Sequence, residues 1–159
     1  MTTKLKDVRT LLVQNAREEA EMDGSAMIEA EHVLLSLASP IGGDAARLLA
    51  EAGLTRDAIR AALDQEWEQS LAVAGVTVTV AELPRATSER GRNPKFGESA
   101  KLVLKRAAER AKRLGASRMS PAHVLVGVLD TKLGRVPRTL ELAGVDRTAL
   151  YAKAIQLID

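Results

Sequence analysis

The sequence has 159 residues, is rich in Ala, Leu, Glu, Lys and Arg, and holds one Trp, one Tyr and one Phe, which is the size of one domain and the composition of a helix former. The absence of cysteine excludes disulfides and thiolate metal sites, and no apolar run of about 18 residues exists to form a membrane-spanning helix. The net charge of +2 is unevenly held: residues 1–84 carry 7 Lys/Arg and 14 Asp/Glu, and residues 85–159 carry 16 and 7. Such a split either steers charged partners or holds the two halves together.

The chain opens on charged residues without the apolar stretch of a signal peptide, so a cytoplasmic protein is expected. Leu5, Val8, Leu11, Leu12, Ala16 and Ala20 recur at three- and four-residue steps and predict a long first helix ended by Gly24. Val33, Leu34, Leu35 and Leu37 mark a short second helix, broken by Pro40 and two glycines. A third helix is expected from about Asp44 to Ala52, closed by Gly53. A fourth is capped by Thr55 and carries Ala58, Ile59, Ala62 and Leu63. The β-branched run Val76–Val80 reads as a short strand or as extended chain, and Pro84–Pro94 as an exposed loop.

The same scheme then returns. A helix is predicted from Glu98 to Leu114 with a stop at Gly115. Ser120 caps the next, with Pro121 at its first position; another runs from about Arg135 to Ala143, and Asp146 caps the last. Shifting the sequence by 91 residues aligns the two halves without a gap over residues 5–61, with 16 identities. Gly24 meets Gly115, His32 meets His123, Gly43 meets Gly134, and Ala52-Gly53 meets Ala143-Gly144. This is an internal duplication. The predicted fold is all-α: two tandem four-helix repeats related by a pseudo-two-fold axis, within one domain. Repeat one spans about 2–67, a linker about 68–95, and repeat two about 96–159.

Catalytic machinery is not legible. There is no phosphate-binding loop, no His-Glu-x-x-His, and no serine in a nucleophile elbow, so no catalytic residue, metal ligand or cofactor is assigned. His32 and His123 each fall in the first turn of the second helix of their copy, where a ring bonds local backbone; both read as structural. Glu31 faces Ala122 across the repeat, and reads either as an acid favoured by the helix N-terminus or as a ligand contact that only copy one keeps.

Arg17-Glu18-Glu19-Ala20, Glu31-His32-Val33-Leu34-Leu35 and Leu49-x-x-Ala52-Gly53 in copy one resemble the Clp N-terminal (repeat) domain, most closely its ClpC type. Ala108-Glu109-Arg110-Ala111, His123-Val124-Leu125 and Leu140-x-x-Ala143-Gly144 carry the likeness in copy two. The resemblance implies a non-enzymatic module that binds peptides, Clp substrates or adaptors, and no ATPase follows the repeats. The expectation is thus a stand-alone ClpC-like protein of the actinobacterial kind, or an excised piece of one, monomeric and acting as a decoy or regulator.

The resemblance also implies two ligand sites. A phosphoarginine site would use Glu31, preceded here by Glu29-Ala30. The matching stretch Ser120-Pro121-Ala122-His123 lacks the acid, so at most one such site is expected. A groove for cyclomarin-type cyclic peptide antibiotics would lie between the first helices of the two copies. Its residues would be Thr2, Thr10, Val13 and Arg17 from copy one, and Phe96, Lys101 and Lys105 from copy two. Phe96 reads either as an exposed anchor or as a staple of the helix it begins. The alternative from another class is nucleic-acid binding, since residues 85–118 hold 11 Lys/Arg against 3 Asp/Glu. That stretch lacks interleaved aromatics, so nucleic acid is the less expected partner.

Overall fold

The structure, a computed structural model, describes residues 5–77, 79 and 93–158, with residues 5–9 and 11 given by backbone alone. Copy one comprises α1 (Leu5–Met22), α2 (Ala30–Leu37), a 3-10 turn at Pro40–Gly42, α3 (Asp44–Glu51) and α4 (Arg56–Val73). Copy two comprises α5 (Glu98–Arg113), α6 (Pro121–Leu129), α7 (Arg135–Leu142) and α8 (Arg147–Gln156). Two-residue strands, β1 (Met27–Ile28) and β2 (Lys95–Phe96), pair in parallel with Ile28 opposite Phe96. The fold is all-α, as the periodicity predicts.

The caps follow from local chemistry. The Thr55, Ser120 and Asp146 side chains accept from the backbone N–H groups of Ala58, His123 and Ala149. The duplicated glycines share a backbone state that side chains disfavour: φ is 69° at both Gly24 and Gly115, and 79° and 73° at Gly53 and Gly144. Two segments differ from the sequence reading. α4 runs on to Val73, so residues 68–73 are helix and not linker. The Val76–Val80 run, strand or extended chain, lies partly outside the described residues; Val76 and Thr77 have no regular structure.

The core is organised by α2 and α6. All eight residues of α2 are buried, as are the eight from Ala122 to Leu129 of α6. A helix apolar on every side must be enclosed. The two pack on each other, α1 covers α2, α5 covers α6, and α4 of copy one lies on α7 of copy two. Copy one fits α1 to α2 through the Ser36 hydroxyl, which donates to the Leu12 carbonyl at 3.0 Å. Gly127 stands at the register position of Ser36, and a Cβ there would meet the Val103 carbonyl oxygen, the partner of Leu12, at 2.7 Å. Copy two thus replaces a hydrogen bond with direct backbone approach.

Both histidines close the first turn of their helix. The Nδ1 atoms of His32 and His123 accept from the Glu29 and Ser120 N–H groups at 2.9 and 3.0 Å. His32 Nε2 lies 2.8 Å from the Asp23 carboxylate, whereas His123 Nε2 is buried without a partner. The reason is visible in register: Leu114 stands where copy one has Asp23. Burial, reinforced by the Arg110 charge, holds His123 below its ordinary pKa of 6.5.

Helix propensity alone says that Gly127→Ala stabilises by about 1 kcal/mol. The backbone clash reverses this, and denaturant unfolding should show a loss of about 1–3 kcal/mol. A more stable alanine variant would contradict the close approach. For His123, the unfolded chain takes up the proton first as pH falls. Stability conferred by the neutral ring is therefore complete above about pH 6.5 and declines below it. His123→Gln keeps a side-chain acceptor and removes the titration, so the fall in melting temperature between about pH 7 and 5.5 should flatten. An unchanged slope would assign that fall to another group.

Candidate functional site: a lysine-rimmed cavity on α5

α5 turns Ala100, Val103, Ala107 and Ala111 into the core. The next face carries Lys101, Leu104, Lys105 and Ala108 at helical spacing, and with Phe96 and Met119 these line a cavity of about 330 Å³. Its floor is apolar. Lys101 is exposed and 3.4 Å from the still more exposed Glu98. Lys105 is also exposed and has no ion-pair partner among the described residues. Phe96 is half-buried: it packs against the core and also lines the cavity.

The cavity's edge is held by copy one. The Gly97 N–H donates to the Ile28 carbonyl at 2.9 Å, and the Ala30 N–H to the Ser99 hydroxyl at 2.8 Å. The Ser99 hydroxyl in turn donates to the Glu29 carboxylate. A Cβ on Gly97 would fall onto that same carboxylate, so a larger residue there must displace the Glu29 side chain.

Of the seven residues expected in an inter-helix groove, the structure brings Phe96, Lys101 and Lys105 together. Thr2 lies outside the described residues. Thr10 is exposed, while Val13 and Arg17 are half-buried on α1; none is in the described lining. They stand at the register positions of Lys101, Leu104 and Ala108. The α1–α5 seam is not among the substantial helix packings of the described residues; α2 and α6 form the central contact. Leu104, Ala108 and Met119 were missed from sequence, although the 91-residue shift from Val13 and Arg17 leads to the first two.

Glu31 is buried in the first turn of α2, and Arg135 Nη1 of copy two lies 3.4 Å from its carboxylate. Arg135 also bonds Glu66 through Nε at 3.0 Å and the Leu63 carbonyl at 3.2 Å, while Arg138 Nε meets Glu66 at 3.0 Å. Burial pushes the Glu66 carboxyl upward, but hydrogen bonds from Ser70, Arg138 and Arg135 outweigh it and hold the group below its ordinary value. A third buried acid, Glu19, is held by Arg56 at 2.7 and 2.9 Å and by Arg60 at 2.9 Å. These clusters are internal ion pairs with their charges matched. Among the described residues no group of three or more His, Asp or Glu side chains could hold a metal ion, and no helix is long and apolar enough to cross a membrane.

The family model of the Clp repeat (R) N-terminal domain matches residues 1–141 and, separately, residues 95–159. Chaperone protein ClpC, chloroplastic, of Pisum sativum is 26% identical over 147 residues, covering 92% of this chain and 14% of that protein. The ClpA homologue of Guillardia theta, an ATP-dependent Clp protease ATP-binding subunit, is also 26% identical over 147 residues, covering 92% and 16%. The chain therefore spans a small part of the length of these relatives. The N-terminal domain of ClpD from Arabidopsis thaliana has a similar fold, with a TM-score of 0.66 at 20% identity over 95% of this chain and 92% of that one. The Hsp104 N-terminal domain from Candida albicans gives 0.63 at 15% identity over 98% and 91%. These two structures speak for the fold. With duplicated four-helix copies folded around one buried helix pair, and a family model running across both, the chain belongs to the Clp repeat (R) N-terminal domain family.

Proposed function

We propose that the chain is a non-catalytic peptide- and protein-binding module of a Clp chaperone–protease system, working in the cytoplasm as a decoy or regulator of the unfoldase. The observation that carries this reading is the cavity on α5: a solvent-facing apolar floor of Phe96, Leu104, Ala108 and Met119, about 330 Å³ in volume. Such a surface suits a few apolar side chains of a peptide. Matched ion pairs elsewhere argue against an acid or base poised for chemistry.

A cyclic, aromatic-rich peptide of the cyclomarin type is the sharpest probe, because a rigid ring has little conformational entropy to lose. Burying the free face of Phe96 and an aliphatic neighbour contributes roughly 2–4 kcal/mol by area. Calorimetric titration of Phe96→Ala should accordingly show affinity weaker by about tenfold to several hundredfold, with the variant still folded. Unchanged affinity in a folded variant places the site elsewhere.

Phosphoarginine is proposed as a second ligand class, held at one weak site by Glu31. Arg135 is an internal competitor, since its guanidinium already meets that carboxylate at 3.4 Å. Titration with free phosphoarginine should give one weak site that Glu31→Ala abolishes and Arg135→Ala strengthens. Two equivalent sites, or full binding by Glu31→Ala, would contradict the assignment.

A further inference from the structure

Resting on the reading of the α5 cavity as a peptide site, we infer that its preferred occupant is an acidic apolar segment, in which an aliphatic or aromatic side chain has Asp or Glu two residues before or after it. Three observations carry this. The floor is apolar, and both charged residues in the described lining are lysines. Lys105 has no described partner, and among the described residues Lys101 is engaged only by Glu98, a carboxylate 93% exposed at 3.4 Å that an incoming acid displaces at little cost. α5 as a whole carries six basic and two acidic residues, so the surrounding field favours an anion.

The spacing agrees. Lys101 and Lys105 are one helical turn apart, about 5–6 Å, and like charges at that spacing repel until a counter-charge sits between them. In an extended peptide, side chains two residues apart lie about 7 Å from one another on one face. An apolar anchor on the floor therefore brings an acid two residues away to the lysine rim. A neutral apolar peptide fills the same floor and leaves the rim unmatched, so the charge sets the choice among apolar segments.

The test uses fluorescein-labelled hexapeptides with blocked termini, built on one Phe-Leu anchor and flanked by Asp and Glu, by Asn and Gln, or by two Lys. Anisotropy titrations at low salt should rank the acidic peptide above the amide peptide by about fivefold to twentyfold, and the lysine peptide last. Raising ionic strength to about 0.5 M should shrink that ratio towards one. Lys101→Glu combined with Lys105→Glu should invert the order of the acidic and lysine peptides, and the Gln pair should level it. Circular dichroism establishes that each variant is folded. Equal binding of acidic and amide peptides to the wild type, both weakened by Phe96→Ala, overturns the inference and leaves the peptide site standing. If no peptide binds the folded wild type, the reading of the cavity fails and the inference with it. If duplex DNA displaces the acidic peptide at equal or lower concentration, the basic face belongs to nucleic acid and the inference is also overturned.

Discussion

The structure depends on one demand: two helices, α2 and α6, are buried on every side, packed against each other beneath the other helices, and the polar groups α2 carries, Glu31, His32 and Ser36, must find partners inside. Neither shows a face to water. α1 and α5 therefore act as covers, with alanine-rich inner faces that allow close approach, and α4 reaches across onto α7 to seal the second side. Because the covers are amphipathic, their outer faces are free to carry recognition chemistry. The cavity on α5 is such an outer face.

Duplication supplied the frame, and divergence then distributed its properties. Copy one holds a dense set of ion pairs. Burial would raise the Asp23 carboxyl, yet His32 and Arg60 bring it below its ordinary value, and Glu19 is gripped by two arginines. At the matching places copy two has Leu114 for Asp23, and Arg110 bonded to the Tyr151 hydroxyl at 3.0 Å for the Glu19–Arg60 pair. The Glu31–Arg135 contact is likewise one-sided, since Ala122 stands at the register position of Glu31. On α5 the small Ala108 lines the cavity, whereas its register partner Arg17 is a long side chain half-buried on α1. A pseudo-symmetric scaffold thus carries an asymmetric surface.

What could be read in the sequence follows from range. Helix starts at Thr55, Ser120 and Asp146, and stops at Gly24, Gly53, Gly115 and Gly144, are decided by a few neighbouring residues, and the helices keep to them. The end of α4 is not legible in the sequence because Asp64–Ser70 is too polar to show apolar periodicity, although Gly75, with φ of 88°, marks the stop. The β1–β2 pair was invisible because two residues cannot display alternation, and their partners are 68 positions away. The arginines on Glu66 and Glu31 were equally out of reach, since ion pairs between residues 69 to 104 apart leave no local trace. Half of the candidate site was legible, namely Phe96, Lys101 and Lys105 on one helix and its approach. The expected α1 residues Thr10, Val13 and Arg17 are not in the described lining, and Thr2 lies outside the described residues.

The two-residue ladder binds the fate of these parts together. Phe96 is one rung of a parallel pair whose other rail, Met27–Ile28, leads straight into α2. A short ladder of this kind has little stability of its own and opens locally more readily than the core. Its opening would remove the cavity's edge, so only the closed form can hold a ligand there. Under the proposed reading, occupancy and closure are linked quantities: a ligand on the α5 face would draw the population towards the paired state, and loosening at Ile28, the rung opposite Phe96, would lower its affinity. The amides of Lys95 and Gly97, which donate to Ala26 and Ile28, are the bonds in which that linkage is written.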